Sequence, residues 1–290
     1  LLQPTGWRAP DPDAVPLAAE VVERVLEPFA RLPQVASALH LGTRVVAVSR
    51  EGCDKVKSAG REQAPFVIRA VRGAETLEMK ARAVIDSTGT WTHPNPLGAS
   101  GLPAVGEHEA ASRIAYGIPD VLGSARSRYA GKRTLVVGAG HSAANALLAL
   151  AELAQQAPGT RLVWSVRSPS LARVFGGGDA DALPARGALG TSLRHLRDTG
   201  GLEFHAGLRI ARINEVDGHL RVHGIDAEGR ERSIEGLDEI ICATGQRPDL
   251  SLTRELRVKL DPWLESNEAL GPLIDPNLHS CGTVRPHGAR

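Results

Sequence analysis

The fold is decided by the stretch TLVVGAGHSAANAL, which occupies residues 134–147. A short apolar run enters a GxGxxA turn, and the pattern predicts that an apolar helix follows the turn directly. Gly138 permits the tight turn, Gly140 lets the backbone approach a pyrophosphate, and Ala143 lets the helix pack closely on the strand. The helix N-terminus presents unpaired N–H groups and a partial positive charge, so the stretch predicts a phosphate-binding turn.

The surroundings of this turn favour a dinucleotide-binding unit over a glycine turn that merely joins a strand to a helix. The pattern predicts a buried strand over Arg133–Val137, a helix over Ser142–Ala154 and a second strand over Arg161–Val166. Strand, glycine-rich turn, helix and second strand in this order form the βαβ unit that binds dinucleotides.

The end of the second strand indicates which dinucleotide is bound. An NAD site carries Asp or Glu there to hold the ribose 2′-hydroxyl, but no acid occurs before Asp179. Arg167 stands at that position, and Arg173 is a second candidate; either can pair with a 2′-phosphate. The alternative is that Arg167 is a solvated residue at a strand end. We expect NADP to be preferred over NAD.

Two similar hexads, residues 84–89 and 240–245, bracket the dinucleotide motif. Each is an apolar run that ends in Thr-Gly, at Thr88-Gly89 and at Thr244-Gly245. A single such end indicates only a turn, whereas a matching pair around a GxGxxA unit indicates more than a turn.

The segments ARAVIDSTGTW, TLVVGAGHSAANAL and DEIICATGQRPDL together resemble the flavoproteins with two dinucleotide-binding domains. The resemblance is to the flavin-containing monooxygenase-like and pyridine nucleotide-disulfide oxidoreductase superfamily. It implies an α/β fold in which a Rossmann-like NAD(P)-binding domain is inserted into an incomplete FAD-binding domain. The implied domains are residues 1–90 (partial FAD-binding domain), 91–243 (NAD(P)-binding domain) and 244–290 (return segment of the FAD-binding domain).

The resemblance implies FAD as a second cofactor and a set of cofactor-binding residues. The set is Gly138, Ala139, Gly140, His141, Ser142, Ala143, Arg167, Arg173, Thr88, Gly89, Thr244 and Gly245. His141 has an alternative role as a local cap or packing residue. The sequence identifies no catalytic residue and no metal site.

The sequence departs from the family pattern in three places. No GxGxxG precedes residue 60, the monooxygenase-type signature ahead of the nicotinamide motif lacks its histidine, and no CxxC is present. The chain also begins without Met, which leads us to expect a fragment or a processed N-terminus. These departures disfavour a disulfide reductase and leave monooxygenation open.

Composition excludes several other classes of protein. The 290 residues carry 34 Lys and Arg against 33 Asp and Glu, for a net charge of +1, and 3% are aromatic. Balanced charge and few aromatic rings argue against nucleic-acid binding, and no run approaches the ~18 apolar residues of a membrane span. Cys53, Cys242 and Cys281 lie far apart, so we expect reduced thiols in a cytoplasmic protein.

The resemblance, together with the dinucleotide motif and Arg167, implies an NADPH-dependent, monooxygenase-like flavoprotein oxidoreductase. Hydride would pass from NADPH to FAD and on to oxygen or a small acceptor, with the cofactors carrying the chemistry. The alternative is a truncated, non-catalytic module that binds NADP. The expected partners are small molecules, without nucleic acid or membrane, and a homodimer is left open.

Local patterns predict further elements outside the dinucleotide unit. Apolar residues at helical spacing predict a helix over Val15–Leu32, and extended segments are expected at Ser37–Leu41 and Leu77–Ile85. Residues 90–107, rich in proline and glycine, are expected to be a linker.

Overall fold

The structure, a computed structural model, describes residues 2–12, 14, 16–170, 175, 184–275 and 277–278. The chain divides into two compact units. One comprises Leu1–Asp86 with Leu250–Val258, and the other comprises Ser87–Asp249 with Lys259–Arg290. The second unit therefore begins a few residues before the expected boundary at 91, and it includes most of the expected return segment. The assignment of FAD and NAD(P) to particular domains stays a prediction.

The first unit holds short helices and one antiparallel sheet. Its helical segments are a 3₁₀ turn at Gln3–Thr5, α1 (Ala18–Val21), a π-helical turn at Val22–Leu26, α2 (Glu27–Ala30), α3 (Pro33–Ala36) and a 3₁₀ turn at Leu250–Thr253. Its strands are β1 (Arg44–Arg50), β2 (Phe66–Arg72) and β3 (Glu75–Ala81), in the order β1-β2-β3. The predicted helix over Val15–Leu32 is thus present as consecutive helical pieces.

Hydrogen bonds from two arginines connect the long loop between β1 and β2 to the 250–258 segment. Arg61 is buried and donates to the carbonyls of Asp54 and Glu255, at 2.5 and 2.7 Å. Arg257 donates to the carbonyls of Lys55 and Val56, at 2.8 and 2.7 Å. These bonds explain why a segment distant in sequence belongs to this unit.

One predicted strand of the first unit is wrong, and another extends too far towards the C-terminus. Ser37–Leu41 forms turns, and β3 ends at Ala81, so the apolar pair Val84-Ile85 lies in no strand. Ile85 is 92% exposed. A strand requires neighbours that pair with its N–H and C=O groups, and none of the described strands pairs with this segment.

The second unit is built on a five-stranded parallel sheet. Its strands are β4 (Ile114–Tyr116), β5 (Arg133–Val137), β6 (Arg161–Ser165), β7 (Glu203–His205) and β11 (Glu239–Cys242). The order is β4-β11-β5-β6-β7, and α5 (His141–Gln156) and α6 (Pro184–Asp198) connect β5 to β6 and β6 to β7. The predicted strand–helix–strand unit is confirmed within a residue or two at each boundary.

Different elements cover the two faces of this sheet. One face packs against α5, whose buried residues include Leu147, Leu150 and Leu153. The other face packs against a three-stranded antiparallel sheet, β8 (Arg209–Val216), β9 (His219–Ile225) and β10 (Glu231–Leu237). Successive residues of β5 face opposite sides of the sheet. Leu135 therefore packs in the core formed with the antiparallel sheet, and Val136 packs in the core formed with α5.

The expected linker at 90–107 is instead a packed part of the second unit. Leu97, Ala104 and Glu107 are buried, at 3%, 5% and 3% exposure. Val105 pairs with β8 through two backbone hydrogen bonds, from Val105 to Ala211 at 3.0 Å and from Ile213 to Val105 at 2.7 Å. The prolines and glycines here form a tight loop that hydrogen-bonds to β8. Composition alone therefore led to the incorrect prediction of a linker.

The remaining elements are short. They are a 3₁₀ turn at Ala111–Arg113, α4 (Arg126–Tyr129) and α7 (Gly271–Ile274). No helix in the described part of the chain is long and apolar enough to cross a bilayer.

Candidate functional site

A cavity of about 520 Å³ opens at the carboxyl ends of β5 and β11. The chain leaves β5 towards β6 on one side, whereas β11 lies on the other side. This point, where the strand order reverses, is where open α/β sheets bind their ligands. The cavity is lined by the predicted glycine turn, the 95–101 loop, the ends of β6 and β11, and Leu208 and Ile210.

Gly138 occupies a position that no other residue fits. Its φ is 141°, and a Cβ built on it would lie 2.2 Å from the carbonyl oxygen of Ala243. Its own carbonyl accepts a hydrogen bond from Nε1 of the buried Trp164, at 2.8 Å. The tight turn predicted from the sequence is therefore locked between β6 and β11.

Gly140 is glycine for a different reason. It stands at the N-cap of α5 with φ −98° and ψ 179°, an extended conformation open to any residue. A Cβ there would meet no protein atom within 4 Å, although the residue lines the cavity. Packing within the protein does not require glycine here. A ligand that binds against the backbone of the turn would require it, because a side chain would occupy the space of the ligand.

The start of α5 presents unpaired donors to the same cavity. The first backbone hydrogen bond at this end runs from the Ala144 N–H to the Gly140 carbonyl, at 3.1 Å. No side chain caps the helix, so the N–H groups of the first turn lack intrahelical partners. The geometry suits the pyrophosphate of a dinucleotide, as the motif predicts.

The charge of the cavity is positive. Arg167 and Arg247 line it, and no aspartate or glutamate does so among the described residues. Nη1 of Arg167 donates to the carbonyl of Ala99 at 3.2 Å, which directs the side chain along the 95–101 loop. Nε of Arg247 lies 3.8 Å from Oε2 of Glu265.

The second Thr-Gly end forms a fixed corner of the cavity. Oγ1 of Thr244 donates to the carbonyl of Asn95 at 2.9 Å, and Nδ2 of Asn95 donates to the carbonyl of Thr244 at 3.2 Å. Gly245 has φ 96°, and a Cβ on it would lie 3.3 Å from Nδ2 of Asn95. Burial raises the pKa of the neighbouring Cys242 thiol to about 11, so this thiol stays protonated at neutral pH.

The segments that follow the two Thr-Gly ends lie side by side. Oγ1 of Thr90 donates to Oε1 of Gln246 at 3.1 Å. The Asn95 N–H donates to the Gly245 carbonyl, and the Arg247 N–H donates to the His93 carbonyl, both at 2.9 Å. The two stretches of chain are therefore neighbours within the second unit; their role as connections between two domains stays a prediction.

The structure brings together most of the predicted cofactor-binding residues and leaves others apart. Those that line the cavity are Gly138, Ala139, Gly140, Ser142, Arg167, Thr244 and Gly245. Ala143 is buried behind the turn, His141 is exposed, and neither lines the cavity. Thr88 and Gly89 are exposed and lie outside it. Arg173 lies outside the described residues, as does Cys281.

Sequence reasoning missed two contributors to this site. Arg247 carries a positive charge three residues beyond Thr244, and a basic residue so close to a strand end was a usable signal. The 95–101 loop carried no such signal, because its proline and glycine content indicated a linker.

The fold matches solved structures of a disulfide reductase and of two FAD-containing enzymes at low sequence identity. Bacillithiol disulfide reductase Bdr from Bacillus cereus matches with a TM-score of 0.61 and 18% identity, over 86% of this chain and 62% of that chain. Ornithine N-hydroxylase from Kutzneria sp. 744, with reduced FAD, NADP+ and L-ornithine, matches with a TM-score of 0.55 and 18% identity, over 85% and 64%. The FAD-bound cadaverine monooxygenase from Erwinia amylovora matches with a TM-score of 0.54 and 16% identity, over 82% and 61%.

These likenesses confirm the predicted α/β fold class. The chain spans about three fifths of the length of these proteins. No protein-family model matches the sequence, and no curated protein matches it.

Proposed function

We propose that the chain is an NADPH-dependent flavoprotein oxidoreductase of the monooxygenase-like kind, and that the cavity described above is its nicotinamide-dinucleotide site. One observation carries the proposal: the cavity at the carboxyl ends of β5 and β11 combines an open glycine turn, a helix N-terminus and Arg167. These are the features that bind a dinucleotide pyrophosphate and, at the second strand, a 2′-phosphate.

Each part of the cavity has a distinct role in binding NADPH. The first-turn N–H groups of α5 would hold the pyrophosphate, and Gly140 leaves room for it. Arg167 would pair with the ribose 2′-phosphate through charge-assisted hydrogen bonds. The corner built by Asn95, Thr244 and Gly245 would close the opposite side of the cavity and exclude water there.

FAD enters the proposal only through the resemblance and the flavin-containing structures of the same fold. A bound flavin would supply the acceptor for the hydride of NADPH. The chain contains one GxGxxA turn after a strand, and the described residues form no second such turn. We therefore assign no residue of this chain to FAD and derive no step through it. A small-molecule acceptor and a cytoplasmic location belong to the same proposal.

Nucleotide binding tests the first half of the proposal. Dissociation constants for NADP+ and NAD+ are measured by calorimetry on the wild type and on Arg167→Ala. A charge-assisted contact contributes about 1.5–3 kcal/mol, so the variant should bind NADP+ roughly tenfold or more weakly, with little change for NAD+. Equal affinities for the two nucleotides in the wild type would contradict the assignment of Arg167.

Flavin uptake tests the second half and separates the proposal from its alternative. The purified chain is dialysed against FAD, and its visible absorbance and its oxidation of NADPH are recorded. Stoichiometric flavin and turnover support the oxidoreductase. A colourless protein that binds NADP+ but takes up no FAD would instead support a non-catalytic NADP-binding module.

A further inference from the structure

A buried glutamate closes the loop that forms one wall of the NADP cavity. Glu107 is 3% exposed. The Leu97 N–H donates to its two carboxylate oxygens at 3.0 and 3.2 Å, and the Ala104 N–H donates to Oε2 at 2.6 Å. The hydroxyl of Tyr116, at the end of β4, donates to Oε1 at 2.7 Å. One carboxylate therefore joins both ends of the 97–104 loop to the parallel sheet.

No cation in the described part of the chain lies within ion-pair distance of this carboxylate. Burial of a charge is costly unless hydrogen bonds or opposite charges compensate for it. Here the compensation comes from donors of the loop and the sheet. Burial and the hydrogen bond to Glu107 also raise the pKa of Tyr116, so this hydroxyl keeps its proton and remains a donor.

The loop that Glu107 closes carries the carbonyl that orients Arg167. Leu97, Gly98, Ala99 and Gly101 line the cavity. The Ala99 N–H donates to the Ile210 carbonyl on β8 at 2.9 Å, and the Ala99 carbonyl accepts from Nη1 of Arg167 at 3.2 Å. Loosening of the loop would displace this acceptor from the guanidinium of Arg167.

We propose that Glu107 is a positioning residue that sets the preference for NADP over NAD, because it fixes the Ala99 carbonyl that orients Arg167. The inference rests on the proposed function, since it concerns how the same cavity recognises the 2′-phosphate. Glu107 does not line the cavity, and it acts through the 97–104 loop.

A double-mutant cycle tests this role. Dissociation constants for NADP+ and NAD+ are measured on the wild type, Glu107→Ala, Arg167→Ala and the double variant. Removal of the carboxylate should weaken NADP+ binding about tenfold and NAD+ binding less than about twofold. In the Arg167→Ala background the same change should alter NADP+ binding less than about twofold, because coupled residues are not additive.

Two further variants separate positioning from a purely structural role. Glu107→Gln keeps an oxygen for the two loop N–H groups and a donor for the Tyr116 oxygen, so it should retain most of the NADP preference. Glu107→Asp keeps the charge but shortens its reach, so it should lose the preference, and it replaces Glu107→Ala if that variant does not fold. Asp226→Ala is the matched control, because Asp226 is a buried carboxylate that accepts loop N–H groups at the β9–β10 turn and does not line the cavity.

The outcomes distinguish the inference from the function beneath it. Equal weakening of NADP+ and NAD+, additive effects in the cycle, or the same nucleotide selectivity change in Asp226→Ala would overturn the positioning role alone. A wild type that binds neither nucleotide would overturn the proposed function together with it.

Discussion

Replacement of Gly140 with valine should separate an effect on nucleotide binding from an effect on the fold. The residue has φ −98° and ψ 179°, and a side chain on it meets no protein atom within 4 Å. The only loss to the fold is that of glycine at a helix N-cap, where an apolar residue costs about 0.5–1 kcal/mol. For a chain of this length that corresponds to a change in Tm of about 2–4 °C or less.

The same side chain occupies the space where the pyrophosphate would approach the first turn of α5. Charge-assisted hydrogen bonds contribute about 1.5–3 kcal/mol each, so the loss of even one of them weakens binding by at least about tenfold. Calorimetric titration of Gly140→Val with NADP+, together with a thermal unfolding curve, measures both quantities. We expect near-normal Tm and strongly weakened binding.

Gly138→Ala provides the contrasting variant in the same turn. Its Cβ would lie 2.2 Å from the Ala243 carbonyl, at a φ of 141°. The fold itself must therefore move, and overpacking of this kind costs roughly 1–3 kcal/mol or more. If Gly140→Val binds NADP+ as tightly as the wild type, or is destabilised as much as Gly138→Ala, the reasoning about the open turn is refuted.

Two further predictions concern titratable groups away from the turn. Burial raises the pKa of the Cys242 thiol to about 11 and leaves the residue 2% exposed. The thiol should therefore resist alkylation by iodoacetamide at neutral pH until the protein is unfolded. Rapid labelling of Cys242 in the native protein, located by mass spectrometry, would contradict this prediction. Burial alone would raise the pKa of Asp226, but hydrogen bonds from Arg230 and Arg232 hold it at about 2. The pKa of Asp226 is lower in the folded protein than in the unfolded chain, so its ionised form stabilises the fold above about pH 4. This stabilisation is lost as the pH falls to about 2. The difference in Tm between wild type and Asp226→Asn should therefore shrink over that range.

The parallel sheet could be predicted from the sequence because its strands are buried on both faces. Such strands are continuous apolar runs, and β5 and β6 begin and end within a residue or two of the predicted positions. The glycine turn could be placed for the same reason, since each small residue has a steric role that depends on the strand and helix beside it.

The 97–104 loop and Glu107 could not be predicted, because their role depends on contacts distant in sequence. Glu107 accepts hydrogen bonds from Leu97 and Tyr116. Ala99 of the loop and Val105, which follows it, hydrogen-bond to β8. A glutamate among prolines and glycines resembles a solvated residue of a linker. Only the position of β8 against the sheet shows that the segment has partners.

The two Thr-Gly hexads show why a local pattern is insufficient to define a strand. Ile240 and Ile241 are fully buried in β11, because that strand pairs with β4 on one side and β5 on the other. Val84 and Ile85 have nearly the same local sequence, yet Ile85 is 92% exposed. Full burial of an isoleucine contributes about 1.5–3 kcal/mol, and this contribution exists only where a neighbouring element covers the side chain. An apolar run therefore specifies what a segment is able to bury, and the strands beside it determine whether the segment becomes a strand.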